Sequence, residues 1–329
     1  MTMAPQRFER IAVEEGYTIP EMMEVRAQSV PARRNTHTPM ADYVFRSLLD
    51  LGEGRIKAMD EDGIACQVCV VASIGIQDID PVQGNELCAL ANDRMSEAAQ
   101  KYPGRLAGLA GFAPLDPERA AREIERAVTK KGLKGAVINS HSRGEYLDDA
   151  KFAPVFEVLA ALDVPLYIHP RDPSPQMIKP FEVFGFKVGW SWAAETGTHI
   201  IRLIGNGVFD RFPTLKIVIG HMGEGLPFHL DRIDNRYFWE HEMAGRAPAL
   251  KRKPSDYLRD NIVVTTSGMN FAAPLMMTIQ TLGIDNVLFA ADYPFEMVRP
   301  AVEAIDAAPI ADSDKKKLYS ENAKRVFKL

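Results

Sequence analysis

Glu14, His169, His221 and Asp292 each stand at or just past the end of a short apolar run, in IAVEE, PLYIHP, LKIVIGHMGE and NVLFAADYP. Two carboxylates and two imidazoles are side chains that bind divalent ions or move protons near neutral pH, so bringing them together would make a metal or acid/base site. The set contains no thiolate, which suits Zn2+, Mn2+ or a similar ion in an open site rather than a closed structural zinc. Convergence requires the four runs to be parallel strands ending at one rim of one sheet. Taken alone, either His could instead cap a strand or fill the core.

The rest of the chain supplies such strands. Short β-branched runs at Ile11 to Glu14, Cys66 to Ala72, Leu106 to Phe112, Gly135 to Asn139, Pro165 to His169, Lys216 to Gly220, Asn261 to Thr266 and Val287 to Asp292 alternate with stretches of helical period. Helices are expected near 42–60, 82–101, 117–130, 151–162, 193–206, 224–239, 271–282 and 312–327. Eight alternations fit a (β/α)8 TIM barrel, distorted and lengthened by loops over 20–41 and 170–192 after the first and fifth strands, better than an open doubly wound sheet. Residues 1–329 read as a single barrel domain with no repeat or linker.

Local punctuation agrees. Asp116-Pro117 offers an N-cap and a proline at the first helical position, and that helix should close near Gly132. Gly223 lets the chain turn sharply after His221, which would leave the imidazole facing the mouth. Glu224 is expected in the first turn of the next helix, where a carboxylate suits the dipole.

Composition excludes several classes. The 329 residues carry a net charge of −5 without a Lys/Arg block that would neutralise a phosphate backbone, so nucleic acid is not an expected partner. No apolar stretch approaches the roughly 18 residues of a membrane span, and 3 cysteines without a leader argue against a secreted disulfide framework. A cytoplasmic enzyme is expected. Cys66 and Cys69 have redox spacing but lie inside a strand run, so they read as buried thiols. His199, Met22, Met23, Met276 and Met277 read as packing, and Lys315, Lys316 and Lys317 as an exposed helix face. His141, after AVINS, sits at the same rim as the four polar strand ends.

The segments IAVEEGYTIP, LLDLGEGRIKAMDEDGI, YPGRLAGLAGFAPLDPERAAREIERAV, GLKGAVINSHSRGEYLDDAKFAPVFE, PLYIHP, ETGTHIIRLIGNGVFDRFPTLKIVIGHMGEGLPFHLDRID and VLFAADYPFE occur in order from about residue 10 onward. Together they resemble the metal-dependent o-hydroxybenzoate decarboxylases of the amidohydrolase superfamily, with the nearest likeness to its 5-carboxyvanillate-decarboxylating members. The resemblance implies Glu14, His169 and Asp292 as metal ligands and His221 as a mouth histidine that binds the metal or acts on the substrate. It implies Glu224 as a supporting partner and Trp192 as an aromatic lining the ring pocket. Arg232 is similar to an arginine that reaches into a neighbouring subunit's site, so a homodimer or homotetramer is expected. Arg171 and His141 are further candidates for binding the substrate.

Two departures stand out. Gly16 occupies a position where some relatives carry a second ligand histidine, so the metal must rely on fewer protein ligands. The position of a substrate-binding arginine falls near Met40, and Arg33, Arg34, His37 or Arg171 could replace it. The chemistry implied is non-oxidative loss of CO2 from a small aromatic carboxylic acid whose phenol and carboxylate both chelate the ion, with Asp292 protonating the ring carbon. No organic cofactor is expected. The alternatives are a metal-dependent hydrolase of a lactone or amide, and, more remotely, a non-catalytic binding barrel.

Overall fold

The computed structural model describes residues 8–29, 38–72, 77–181, 183 and 185–329. Among the described residues, nine parallel strands run in chain order: β1 Ile11–Tyr17, β2 Cys66–Val71, β3 Leu106–Gly108, β4 Ala110–Gly111, β5 Ala136–Asn139, β6 Leu166–His169, β7 Ile217–Ile219, β8 Ile262–Thr265 and β9 Val287–Leu288. They form two sheets, β1-β2-β3 and β4 to β9. Two seams join them into a barrel. Leu109 N donates to Cys69 O at one, and Val13 N to Phe289 O and Gly16 N to Tyr293 O at the other. The strands are buried throughout, as expected of a parallel sheet covered by helices on one side and filled on the other.

The third stave is the first departure from the sequence reading, because Leu106 to Phe112 is interrupted at Leu109. A Cβ on Gly108 would lie 2.2 Å from Met95 Cγ, so the helix Pro81–Lys101 presses close against the backbone there. The expected helix over 42–60 is two helices, Pro39–Leu49 and Glu53–Asp62. Asp50 breaks it by accepting from Gly52 N at 2.7 Å. The expected loop over 20–41 contains the helix Pro20–Ser29 and the start of Pro39–Leu49. Helices at Pro254–Asn261 and Val298–Asp306 were not expected.

Other local signals hold. Asp116 Oδ1 accepts from Arg119 N at 3.1 Å, and Gly132 closes the helix Pro117–Lys131 at φ 76. Its buried Ala120, Glu123, Ile124 and Ala127 keep helical spacing toward the sheet. Cys66, Cys69 and Cys88 are buried free thiols. Among the described residues, no helix is long and apolar enough to cross a membrane.

Candidate metal centre

Glu14 reaches the mouth through a β-bulge. Val13 pairs with Val68 and Glu15 with Cys69, leaving Glu14 as the extra residue, at φ 81. Positive φ is strained for a residue with a Cβ and recurs at sites where one side chain must be aimed against the strand's alternation. Glu14 Oε2 accepts from Thr265 Oγ1 at 2.6 Å and from Ser267 Oγ, whereas Oε1 is buried without a hydrogen-bond partner. Gly220 makes room beside it, since a Cβ there would lie 2.7 Å from Oε1.

His169 ends β6 and is buried. Its Nδ1 lies 2.9 Å from Pro170 O, which assigns the N–H to Nδ1 and leaves Nε2 as a lone pair 3.8 Å from Glu14 Oε1. Burial holds its pKa below the usual imidazole value against the pull of Glu14, which favours the neutral, ligand-competent ring. Asp292 lies beyond β9 at φ 69. It keeps partial exposure at the mouth, but its Oδ1 is buried without a partner. Desolvation and then the charge of Glu14 push its carboxyl well above the usual range. One ligand atom from each of Glu14, His169 and Asp292 lies within 4.8 Å of the others.

His221 stands beside this cluster, at φ 51 and partly exposed. Its Nδ1 pairs with Glu224 Oε1 at 2.8 Å, and its backbone N–H donates to Ser267 Oγ at 3.2 Å. Burial opposes its charge, but Glu224, Glu14 and Asp292 outweigh that and raise it to about 10. Glu224 departs from expectation, sitting at φ 55 in the tight turn His221–Glu224 instead of in the first turn of a helix. The long helix starts only at Leu230, after a short turn over Leu226–His229.

These residues fit a divalent ion. Among the described residues, two buried carboxylate oxygens have no donor, an imidazole lone pair faces one of them, and the crowding of negative charge that raises Asp292 is what a cation would relieve. At Gly16, where some relatives carry a second ligand histidine, a Cβ would lie 3.0 Å from Leu48 Cδ2 and 3.2 Å from Phe295 Cε2, so a side chain there would need both neighbours to give by a few tenths of an ångström.

Trp192 opens the helix Trp192–Gly205, half-buried, with Nε1 donating to Asp172 Oδ1 at 2.8 Å. Two other sequence candidates are committed to holding loops. Arg171 forks onto Asp78 and donates to His141 O at 2.7 Å, while His141 uses one ring nitrogen on Asp172 O and the other on Gly144 N. Arg232 is exposed on the helix Leu230–Met243. Arg33, Arg34 and His37 lie outside the described residues.

His199 is buried, but hydrogen bonds fix it as well as packing. It bonds Ser140 Oγ and accepts from Leu147 N, and burial lowers it to about 3. Glu195 accepts from Ser140 Oγ, Tyr146 OH and Ser174 N, binding together the loops after β5 and β6. The sequence reading missed Glu15, Thr265 and Ser267. Glu15 is buried, accepts from Ala291 N and Tyr293 N at 3.0 Å each, and is raised to about 7 chiefly by burial. The TTSG run after β8 carries the same signal as the four ligand candidates, polar residues just past an apolar strand, but in hydroxyls rather than acids.

A sequence model described as Amidohydrolase matches residues 55–329. The chain is 38% identical to a gamma-resorcylate decarboxylase of Polaromonas sp., over 97% of this chain and 98% of that protein. It superposes on a 5-carboxyvanillate decarboxylase of Sphingomonas paucimobilis with a TM-score of 0.92 and 39% identity, covering 98% and 99% of the two chains. A 5-carboxyvanillate decarboxylase of Novosphingobium aromaticivorans, crystallised with manganese and 4-hydroxy-3-methoxy-5-nitrobenzoic acid, gives 0.94 and 37% over 100% and 98%. A closed parallel barrel and end-to-end likeness lead to one assignment: the chain belongs to the amidohydrolase family.

Proposed function

We propose that this protein is a carbon–carbon lyase that decarboxylates an o-hydroxybenzoate-type acid, such as a dihydroxybenzoate or a carboxyvanillate-like compound, without net oxidation. The observation that carries the reading is Asp292, a carboxyl pressed toward its protonated form inside a ligand cluster. Relatives named as aromatic-acid decarboxylases, two of them in manganese-containing structures, support it.

Glu14, His169 and Asp292 would hold a divalent ion, Mn2+ or Zn2+, with His221 beside it. Such an ion supplies Lewis-acid polarisation and a template for phenol and carboxylate oxygens. Asp292 delivers its proton to the ring carbon that bears the carboxylate. A π pair of the phenolate ring forms the new C–H bond; the carbon–carbon bond then breaks, CO2 leaves, and its bonding pair returns to the ring and restores the aromatic system. His221, oriented by Glu224, returns a proton to Asp292 or steadies the phenolate. Trp192 lines the ring pocket, Arg232 enters a neighbouring copy's site in a dimer or tetramer, and the enzyme works in the cytoplasm without an organic cofactor.

Asp292→Asn tests the assignment. CO2 release should fall about a thousandfold, the middle of the range for losing a positioned acid, while circular dichroism stays unchanged. Wild-type turnover in that variant would remove Asp292 from the chemistry.

A further inference from the structure

We propose that Thr265 and Ser267 set Glu14 as a one-oxygen metal ligand and so keep coordination positions open for a substrate that binds through two oxygens. The inference rests on the metal-centred reading above and concerns what this chain's hydroxyls do to that centre.

Thr265 Oγ1 donates to Glu14 Oε2 at 2.6 Å, and Ser267 Oγ donates to the same oxygen. A hydroxyl carries one hydrogen, so with both spent on Oε2 the 2.9 Å contact between the two hydroxyls holds no further proton. Ser267 Oγ also accepts the backbone N–H of His221 at 3.2 Å, which turns its own hydrogen toward Glu14. All three side chains are fully buried, so water does not compete. The other oxygen is treated oppositely. Among the described residues, Glu14 Oε1 has no hydrogen-bond donor; it faces His169 Nε2 at 3.8 Å and is kept clear by Gly220.

One oxygen is therefore occupied and the other offered. Without the two hydroxyls, Oε2 would lose both of the donors that reach it, a costly state for a buried carboxylate that engaging the ion with both oxygens relieves. That second oxygen would take a position needed by a chelating ligand.

The Thr265→Val/Ser267→Ala double variant of the full chain tests this. Mn2+ binding is followed by loss of the free-ion electron paramagnetic resonance signal. Salicylate and 3-hydroxybenzoate are then titrated calorimetrically into the Mn2+ form; only salicylate can chelate through adjacent phenol and carboxylate. Mn2+ affinity should stay within about threefold of wild type, while the preference for salicylate falls about tenfold, and Thr265→Ser should retain that preference. A loss of about 10–100-fold in Mn2+ affinity, the usual effect of removing a group that merely orients a ligand, would overturn the proposal. An unchanged salicylate preference would do the same. Ser267→Ala alone provides the comparison should the double variant fail to fold. A wild type that binds no Mn2+, or shows no preference for salicylate, would remove the metal reading itself. A wild type with both properties and an identical variant would remove only the role of the hydroxyls.

Discussion

Glu14, His221 and Asp292 all adopt positive φ, at 81°, 51° and 69°. Such backbone costs of order 1–3 kcal/mol per residue and persists where surrounding bonds over-determine it; Arg143, Asp163 and Lys328 share it away from the site, but here it aims three candidate ligand side chains into the mouth. Gly220 has a related role through space. Gly220→Ala would bring a Cβ to 2.7 Å from Glu14 Oε1. Mn2+ affinity, read by titration, should fall about tenfold or more; unchanged affinity would show that Oε1 is not a ligand atom. The charges make a separate prediction. In metal-free protein His221 holds its proton up to about pH 10, whereas an unfolded histidine releases it near 6.5. Asp292 and Glu224 also bind protons more tightly when folded. The folded state then carries more protons than the unfolded one, so stability present below pH 6.5 is lost as pH rises toward 10. Melting temperature in chelator should drop across this window, and Mn2+ should flatten the drop by favouring the deprotonated forms. At this scale, acids and imidazoles after apolar runs were legible because residue type announces them. Thr265, Ser267 and Glu15 were not, because their importance lies in the atoms they touch.

Between residue and barrel stands the segment carrying Asp292. The regular strand ends at Leu288, four residues short of it, and the Glu15 carboxylate takes over by accepting the N–H groups on either side. Glu15→Gln keeps one acceptor and sets an amide against the other N–H, at a cost of about 1–3 kcal/mol for a buried unpaired group. Hydrogen exchange at Ala291 and Tyr293 should accelerate accordingly; unaltered protection would contradict the clamp. Far from the site, Asp116→Ala removes an N-cap and should cost about 1 kcal/mol without altering turnover, as measured by denaturant unfolding. Element boundaries marked by caps, such as Asp116 and Gly132, were legible. The bulge at Glu14, the pinch at Gly108 and the break at Asp50 were not, since each depends on a neighbour brought close by the fold.

At the level of the whole molecule, alternating runs sufficed to anticipate a barrel, because parallel staves buried on both faces leave apolar stretches of characteristic length. Assembly is written less plainly. Arg232 is exposed on a helix that also exposes Trp239 and Met243, with Phe228 just before it. If Arg232 serves a neighbouring site, Arg232→Ala and Asp292→Asn proteins are each impaired alone. Mixed one to one under subunit exchange, they should recover about a quarter of wild-type activity in a two-fold dimer. No recovery, or full activity of a strictly monomeric form, would contradict action in trans.

The central claim meets its most direct test in metal analysis of the purified protein, coupled to CO2 release from a panel of o-hydroxybenzoates before chelation, after chelation and after Mn2+ is restored. A metal-dependent decarboxylase carries bound divalent ion and releases CO2 from at least one member; the activity disappears with chelation and returns with the ion. Bound metal with no CO2 from any of them would contradict the decarboxylase and favour hydrolysis at the same site. CO2 release indifferent to chelation would contradict the metal centre.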